Sequence, residues 1–123
     1  MPATRPDEMQ DRTGTFRPNR AALEKAAAEY RLALQTEPAH YWSHYQLGRC
    51  LMNLGQPEEG VLALGACVAL KPDSPWGYSA RGVALTTLKR YDEAAADFDR
   101  VARLDPDSRL LRLNRGVLRW HRG

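Results

Sequence analysis

Cysteine is scarce in this chain: Cys50 and Cys67 are the only two in 123 residues. One pair at that spacing builds neither a disulfide framework nor a Cys-x-x-Cys metal or redox site, which excludes a small stapled secreted scaffold. Lysine is almost as rare, confined to Lys25, Lys71 and Lys89. No apolar run approaches the roughly 18 to 20 residues of a membrane span, and the opening segment, MPATRPDEMQ, holds no apolar signal core. A cytoplasmic chain with no membrane partner is expected. The catalytic and nucleotide strings are missing too: there is no Gly-x-x-x-x-Gly-Lys-Ser/Thr, His-Glu-x-x-His, Gly-x-Ser-x-Gly or Gly-x-Gly-x-x-Gly. Neither a catalytic residue nor a cofactor is therefore expected.

The residues that could carry chemistry have simpler readings. His40 and His44 stand four apart, but no nearby cysteine or carboxylate completes a ligand set, so they are read as packing or surface histidines and no metal is expected. Cys50 and Cys67 have no activating base in view and read as buried or partly buried thiols. Glu58-Glu59 and Asp92-Glu93 open helices, where carboxylates complement the positive helix end.

What the chain does have is an ordinary globular composition, 43% hydrophobic and 27% charged in 13.9 kDa, which suits one folded domain. Its net charge of +3 is unevenly placed: residues 1–99 carry 11 basic and 13 acidic groups, residues 100–123 carry 7 and 2. The basic excess belongs to the C-terminal end, which is weaker evidence for nucleic acid than a basic surface throughout.

A period of 34 runs through the sequence. Pro38, Pro72 and Pro106 share it, as do Gly48, Gly82 and Gly116. Further columns hold Ala26, Gly60 and Ala94; Tyr30, Leu64 and Phe98; Ala33, Cys67 and Val101; Trp42, Trp76 and Leu110; and Leu70 with Leu104. Inside each period the apolar residues recur at helical spacing, as in Leu47, Leu51 and Leu54 or Tyr78, Leu85 and Leu88, giving two helices per period. The punctuation agrees: Gly55 follows one helix and Pro57 starts the next, Ser74-Pro75 reads as an N-cap with an N1 proline, and Asp107-Ser108 opens a last helix. The small columns predict close helix crossings, Gly48 and Gly82 being the points where Gly60 and Ala94 of the paired helix approach.

These residues closely resemble the tetratricopeptide repeat family, whose sequence of large, Leu, Gly, aromatic, Ala, Phe, Ala and Pro positions is met in order. Residues 41–74 carry it as His44, Leu47, Gly48, Leu51, Gly60, Leu64, Cys67 and Pro72, and residues 75–108 as Tyr78, Gly82, Leu85, Ala94, Phe98, Val101 and Pro106. Gly60, Cys67 and Val101 replace alanine and Arg81 replaces leucine, without breaking the size pattern. The resemblance implies an all-α fold, a right-handed superhelix of antiparallel helix pairs with about six helices. It covers residues 19–121: a half repeat at 19–40, full repeats at 41–74 and 75–108, and a terminal helix at 108–121. Residues 1–18, with Gly14 and Pro18, are expected to form a mobile or weakly docked arm.

Family resemblance further implies a concave face, lined by the first helix of each pair, that grips a peptide or helix. Its columns hold Trp42, Tyr45, Arg49, Met52 and Asn53; then Trp76, Ser79, Val83, Thr86 and Thr87; then Leu110, Leu113 and Val117, with Trp120 nearby. That ladder is apolar and aromatic, as binding surfaces often are. Cochaperone members of the family clamp a C-terminal carboxylate with Lys, Asn and Arg. The matching columns here hold Tyr45, Gln46, Arg49, Trp76, Ala80 and Val83, so an apolar or amphipathic segment is the expected ligand. A non-catalytic scaffold or adaptor is implied, possible as part of a larger protein, with self-association through the half repeats at its ends. Arg109, Arg112, Arg115, Arg119 and Arg122 form a basic stripe on the last helix. It reads first as the solvated side of a capping helix, and alternatively as a site for nucleic acid or an acidic or phosphorylated partner.

Overall fold

A computed structural model describes residues 8–10, 16–109, 112, 116 and 118–120. Two three-residue strands come first, β1 (Glu8–Gln10) and β2 (Phe16–Pro18), paired antiparallel with Met9 opposite Arg17. They fall inside the segment expected to be an arm. Five helices follow: α1 (Arg20–Thr36), α2 (Tyr41–Asn53), α3 (Pro57–Leu70), α4 (Pro75–Thr87) and α5 (Tyr91–Leu104). Beyond them Arg109, Arg112, Gly116 and Leu118 to Trp120 are also helical.

Each boundary has a local cause. Asn19 caps α1, its side chain accepting the Ala21 N–H at 2.7 Å. His40 caps α2: its Nδ1 accepts the Ser43 N–H at 3.2 Å and lies 2.7 Å from the Ser43 hydroxyl. Pro57 and Pro75 occupy the first turns of α3 and α4, where a missing N–H costs nothing. Ser74 does stand at the N-cap of α4, but its side chain makes no cap bond. Its hydroxyl instead shares a hydrogen bond at 3.1 Å with that of Tyr41, one repeat earlier. Each proline of the repeat column sits in a turn closed by a backbone bond of 3.1 Å: His40 N–H to Glu37, Ser74 N–H to Lys71, Ser108 N–H to Asp105.

Antiparallel neighbours α2 and α3 form one hairpin and α4 and α5 the next, with α1 against α2 and α3 against α4. The core runs along these contacts as three linked clusters. Leu47, Leu51 and Leu54 meet Leu23, Ala26, Tyr30 and Leu34 of α1; Tyr41, Leu64, Cys67 and Ala84 form the middle; Leu85, Ala94 and Phe98 close the last hairpin with Leu118 packed on them.

The glycine column works differently from the expected small-on-small crossing. A methyl group on Gly48 would lie 2.6 Å from Leu64 Cγ, and one on Gly82 would strike the Phe98 ring. The space is thus a socket for the large side chain of the following helix. Gly60 approaches the backbone of α2 as expected, a Cβ there falling 3.3 Å from the Gly48 carbonyl oxygen, but it also leaves room for Met52 at the same distance.

Candidate functional site

The first helices of the two complete hairpins carry the columns expected to line a groove at equivalent positions. Trp42 opens α2 and Trp76 opens α4; they are 48% and 46% exposed. Such similar exposure at positions 34 apart follows from the repeat, each ring standing at the second residue of a first helix. Around Trp42 the rings interlock. Its indole meets Tyr45 edge-on at 5.4 Å and Tyr41 edge-on at 5.1 Å, while Tyr41 and Tyr45 stack at 6.4 Å. Arg49 lies one turn on, its guanidinium 5.9 Å from the Tyr45 ring centre. Burial pushes the Tyr45 hydroxyl above its ordinary ionisation range, with Arg49 acting the other way. Lys71 approaches from the end of α3, its Nζ 4.7 Å from the Tyr41 ring centre, so two cations stand beside this ring cluster.

The remaining residues expected to line the groove divide by depth. Arg49, Asn53 and Thr87 are exposed, whereas Tyr45, Met52 and Val83 are half-buried. Met52 packs on the middle core cluster and Val83 on the last. Ser79 and Thr86, expected on the lining, are corrected: they are 6% and 0% exposed and offer no surface to a ligand. Both are short, so they stay at the level of the backbone beneath longer neighbours, and the Thr86 hydroxyl donates to the Gly82 carbonyl at 2.8 Å. The expected lining residues Leu110, Leu113 and Val117 lie outside the described residues. Of the basic stripe, Arg109, Arg112 and Arg119 are exposed; Arg115 and Arg122 lie outside the described residues.

Both histidines have structural partners. His40 caps α2, and His44 Nε2 bonds the Pro38 carbonyl at 2.8 Å, tying the turn to the helix. Both cysteines are buried and free. Burial raises the Cys50 thiol, and raises Cys67 from an ordinary 9.0 to about 11. The Cys67 thiol donates to the Tyr41 carbonyl at 3.7 Å. A thiol held protonated in this way is a poor nucleophile. No group of three or more metal-ligating side chains occurs among the described residues.

One polar pair escaped the sequence reading. Arg81 of α4 binds Asp97 of α5 through two parallel bonds, Nε to Oδ2 at 2.8 Å and Nη2 to Oδ1 at 2.7 Å, with Asp97 only 3% exposed. The signal lay in two columns read separately: Leu47 becomes Arg81 and Ala63 becomes Asp97 in the same step of the repeat. Its location inside a hairpin makes it a structural pair. Arg81 and Arg100 also flank the buried Tyr78 ring, at 5.9 and 5.6 Å.

Residues 45–109 and 79–123 each match the profile of the tetratricopeptide repeat. The chain is 33% identical over 72 residues to a UDP-N-acetylglucosamine–peptide N-acetylglucosaminyltransferase of Giardia intestinalis; the match takes in 58% of this chain but only 5% of that enzyme. Among solved structures it is similar to the first such domain of Spaghetti (RPAP3) bound to the HSP90 peptide SRMEEVD. The TM-score is 0.75 at 20% identity, with 84% of this chain and 82% of that one covered. It is equally similar to the second domain of human RPAP3 in complex with the HSP70 peptide SGPTIEEVD, at TM-score 0.75 and 19% identity, covering 80% and 82%. These structural likenesses concern the fold.

Proposed function

The chain belongs to the tetratricopeptide repeat family, and from that premise we propose that it is a non-catalytic scaffold or adaptor module that holds an apolar or amphipathic peptide or helix in its concave groove. The observation that carries this reading is the pair Trp42 and Trp76, two indoles at one repeat position that are each left about half uncovered. Large rings on a rigid scaffold supply contact area at little entropic cost, and they dominate binding energy where they are desolvated by a partner. Tyr45 and Arg49 extend the site along α2. The two RPAP3 domains hold the acidic-tailed peptides SRMEEVD and SGPTIEEVD, but here Lys25 and Lys89 stand on α1 and in the α4–α5 turn, and Lys71, at the end of α3, is taken up by the Tyr41 ring, its Nζ 4.7 Å from the ring centre. That placement supports an apolar anchor over an acidic one. Among the described residues no helix is long and apolar enough to cross a membrane, which suits the cytoplasmic setting we assign.

The test is selection from a displayed peptide library, followed by titration of the enriched peptides. Peptides with apolar or aromatic anchors should emerge, and the double change Trp42→Ala and Trp76→Ala should weaken them at least 100-fold, the scale of two hot-spot residues. Enrichment of acidic tails such as SRMEEVD, or binding that survives loss of both indoles, overturns the reading. The second reading, an anionic partner on the last helix, is supported by the exposure of Arg109, Arg112 and Arg119. It requires affinity for a nucleic acid that falls steeply with salt and is lost in Arg112→Ala with Arg119→Ala.

A further inference from the structure

The second hairpin differs from the first in one connected set of positions. Where the first carries His44, Leu47, Ala63, Ala66 and Ala69, the second carries Tyr78, Arg81, Asp97, Arg100 and Arg103. The substituted side chains meet in space. Arg81 of α4 and Arg100 of α5 lie 5.9 and 5.6 Å from the centre of the same Tyr78 ring. Their situations differ. Arg81 engages Asp97 through Nε and Nη2, whereas Arg100 is exposed and has no carboxylate partner among the described residues. Arg100 also stands where two clefts meet. Helices α3 and α5 both pack on α4, and toward the start of α5 they leave a space of about 310 Å³ lined by Val61, Leu85 and Ala96. Toward the end of α5 a second space, of about 330 Å³, is lined by Pro72, Tyr78 and Leu104 with Asp73 and Arg103. Gly65 leaves room on the α3 side: a Cβ there would lie 4.0 Å from Arg81 Nη1, the nitrogen that Asp97 does not bind. This side of α4 is turned away from the indole column, since Tyr78, Arg81 and Leu85 stand roughly 140 to 200° round the helix from Trp76.

We propose that this double cleft is a second binding site, which takes an acidic side chain carried by an extended segment of a partner protein. The carboxylate sits on Arg100, and the apolar neighbours of the acidic residue rest on Val61 and Ala96 to one side and Leu104 to the other. The charges select the ligand. Asp97 and Glu93 are already held by Arg81 and Arg90, so Arg100 is the cation left to neutralise. One guanidinium matches one carboxylate, whose two oxygens fit its fork of N–H donors. A phosphate dianion would instead add its second charge beside Asp73, Glu93 and Asp97. The Tyr78 ring beneath Arg100 favours binding as well, because a guanidinium already resting on an aromatic face has less side-chain freedom to lose. Shape selects a chain over a free acid: the space continues on both sides of the cation, as a segment passing across it requires.

Titration of the full ¹⁵N-labelled chain with the peptide acetyl-Leu-Glu-Leu-amide, followed by NMR at the backbone amides and the arginine Nε–H groups, tests this. Saturable shifts should gather on Arg100 and the α5 amides around it, with a Kd of about 1 to 10 mM, the range of a single exposed charge-assisted contact with a small apolar flank. Replacing the peptide's glutamate with glutamine should weaken binding about fivefold or more, the difference between a charged and a neutral hydrogen bond. Arg100→Ala restores the alanine that the preceding repeat carries as Ala66 and suits a helix, so it should lose the same factor with unchanged helical circular dichroism. The proposal fails if the Arg100 signals do not move, if they move while the shifts centre on Arg112 and Arg119, or if the glutamine peptide binds as well as the glutamate one. It fails equally if Arg100→Ala binds as the wild type does, or if acetate or inorganic phosphate binds as tightly as the peptide.

Discussion

Gly55 and Lys89 stand 34 residues apart at the end of a first helix, and both adopt the left-handed backbone, with φ of 75° and 62°. The turn requires it: the N–H of Gln56 returns to Leu51 at 2.8 Å and that of Arg90 to Leu85 at 2.9 Å, closing each helix with the same pair of bonds. Glycine accepts this conformation and lysine is strained by it. Lys89→Gly should therefore stabilise the protein by about 0.5 to 1 kcal/mol, and Gly55→Ala should destabilise it by a similar amount, both measurable by urea unfolding. Cys67 yields a pH prediction. Its thiol rises from 9.0 to about 11 on folding, so below pH 9 both states are protonated and the contribution is complete. Between pH 9 and 11 only the unfolded chain loses the proton, so stability should fall by about 2 to 3 kcal/mol across that window. Cys67→Ala should flatten that part of the profile.

At the scale of the helix pair, the Arg81–Asp97 bridge replaces the Leu47–Ala63 contact of the preceding hairpin. Removing one partner leaves the other charge partly desolvated, so Asp97→Ala should cost about 2 to 4 kcal/mol. Arg81→Leu with Asp97→Ala, which copies the earlier repeat, should recover most of that loss, because an apolar pair needs no compensation for desolvation. Recovery in the double variant, read by thermal and urea unfolding, distinguishes a replaceable structural pair from one the fold needs. The glycine sockets belong to this scale as well. Gly82→Ala puts a methyl into the Phe98 ring, and overpacking of this kind should cost about 1 to 3 kcal/mol. The rigid neighbour is a ring between α4 and α5, so it has little freedom to yield.

Across the whole molecule, stacking converts a period in sequence into a surface in space. Helix α3 packs against the first helix of its own pair and that of the next, and so buries Leu64 and Cys67 completely. At α1 the same columns are less covered: Tyr30 is half-buried and Ala33 exposed. The array therefore has weaker edges than centre, and hydrogen exchange should show α1 opening at lower free energy than α3 and α4, as repeat arrays do. Equal protection of α1 and α3 would mean that the α1 flank is covered.

The period of 34, the helix boundaries at Asn19, Pro57 and Pro75, and the turns at each column proline were determined by local chemistry, because caps, prolines and glycines act on residues a few positions away. The candidate site was partly legible for the same reason: repeat columns name which residues share a position, and Trp42 and Trp76 do share one. Depth was not legible. That Ser79 and Thr86 sink while Trp42 and Trp76 stay half uncovered depends on side-chain length and on neighbours brought together from other helices. Only the tertiary structure decided that Ser74 serves Tyr41 rather than its own helix, and that Leu64 and Phe98 fill the glycine sockets. It also decided that two substitutions in separate columns form one ion pair. Those outcomes join residues 16 to 33 positions apart, and such distances are set by packing, which a local pattern does not encode.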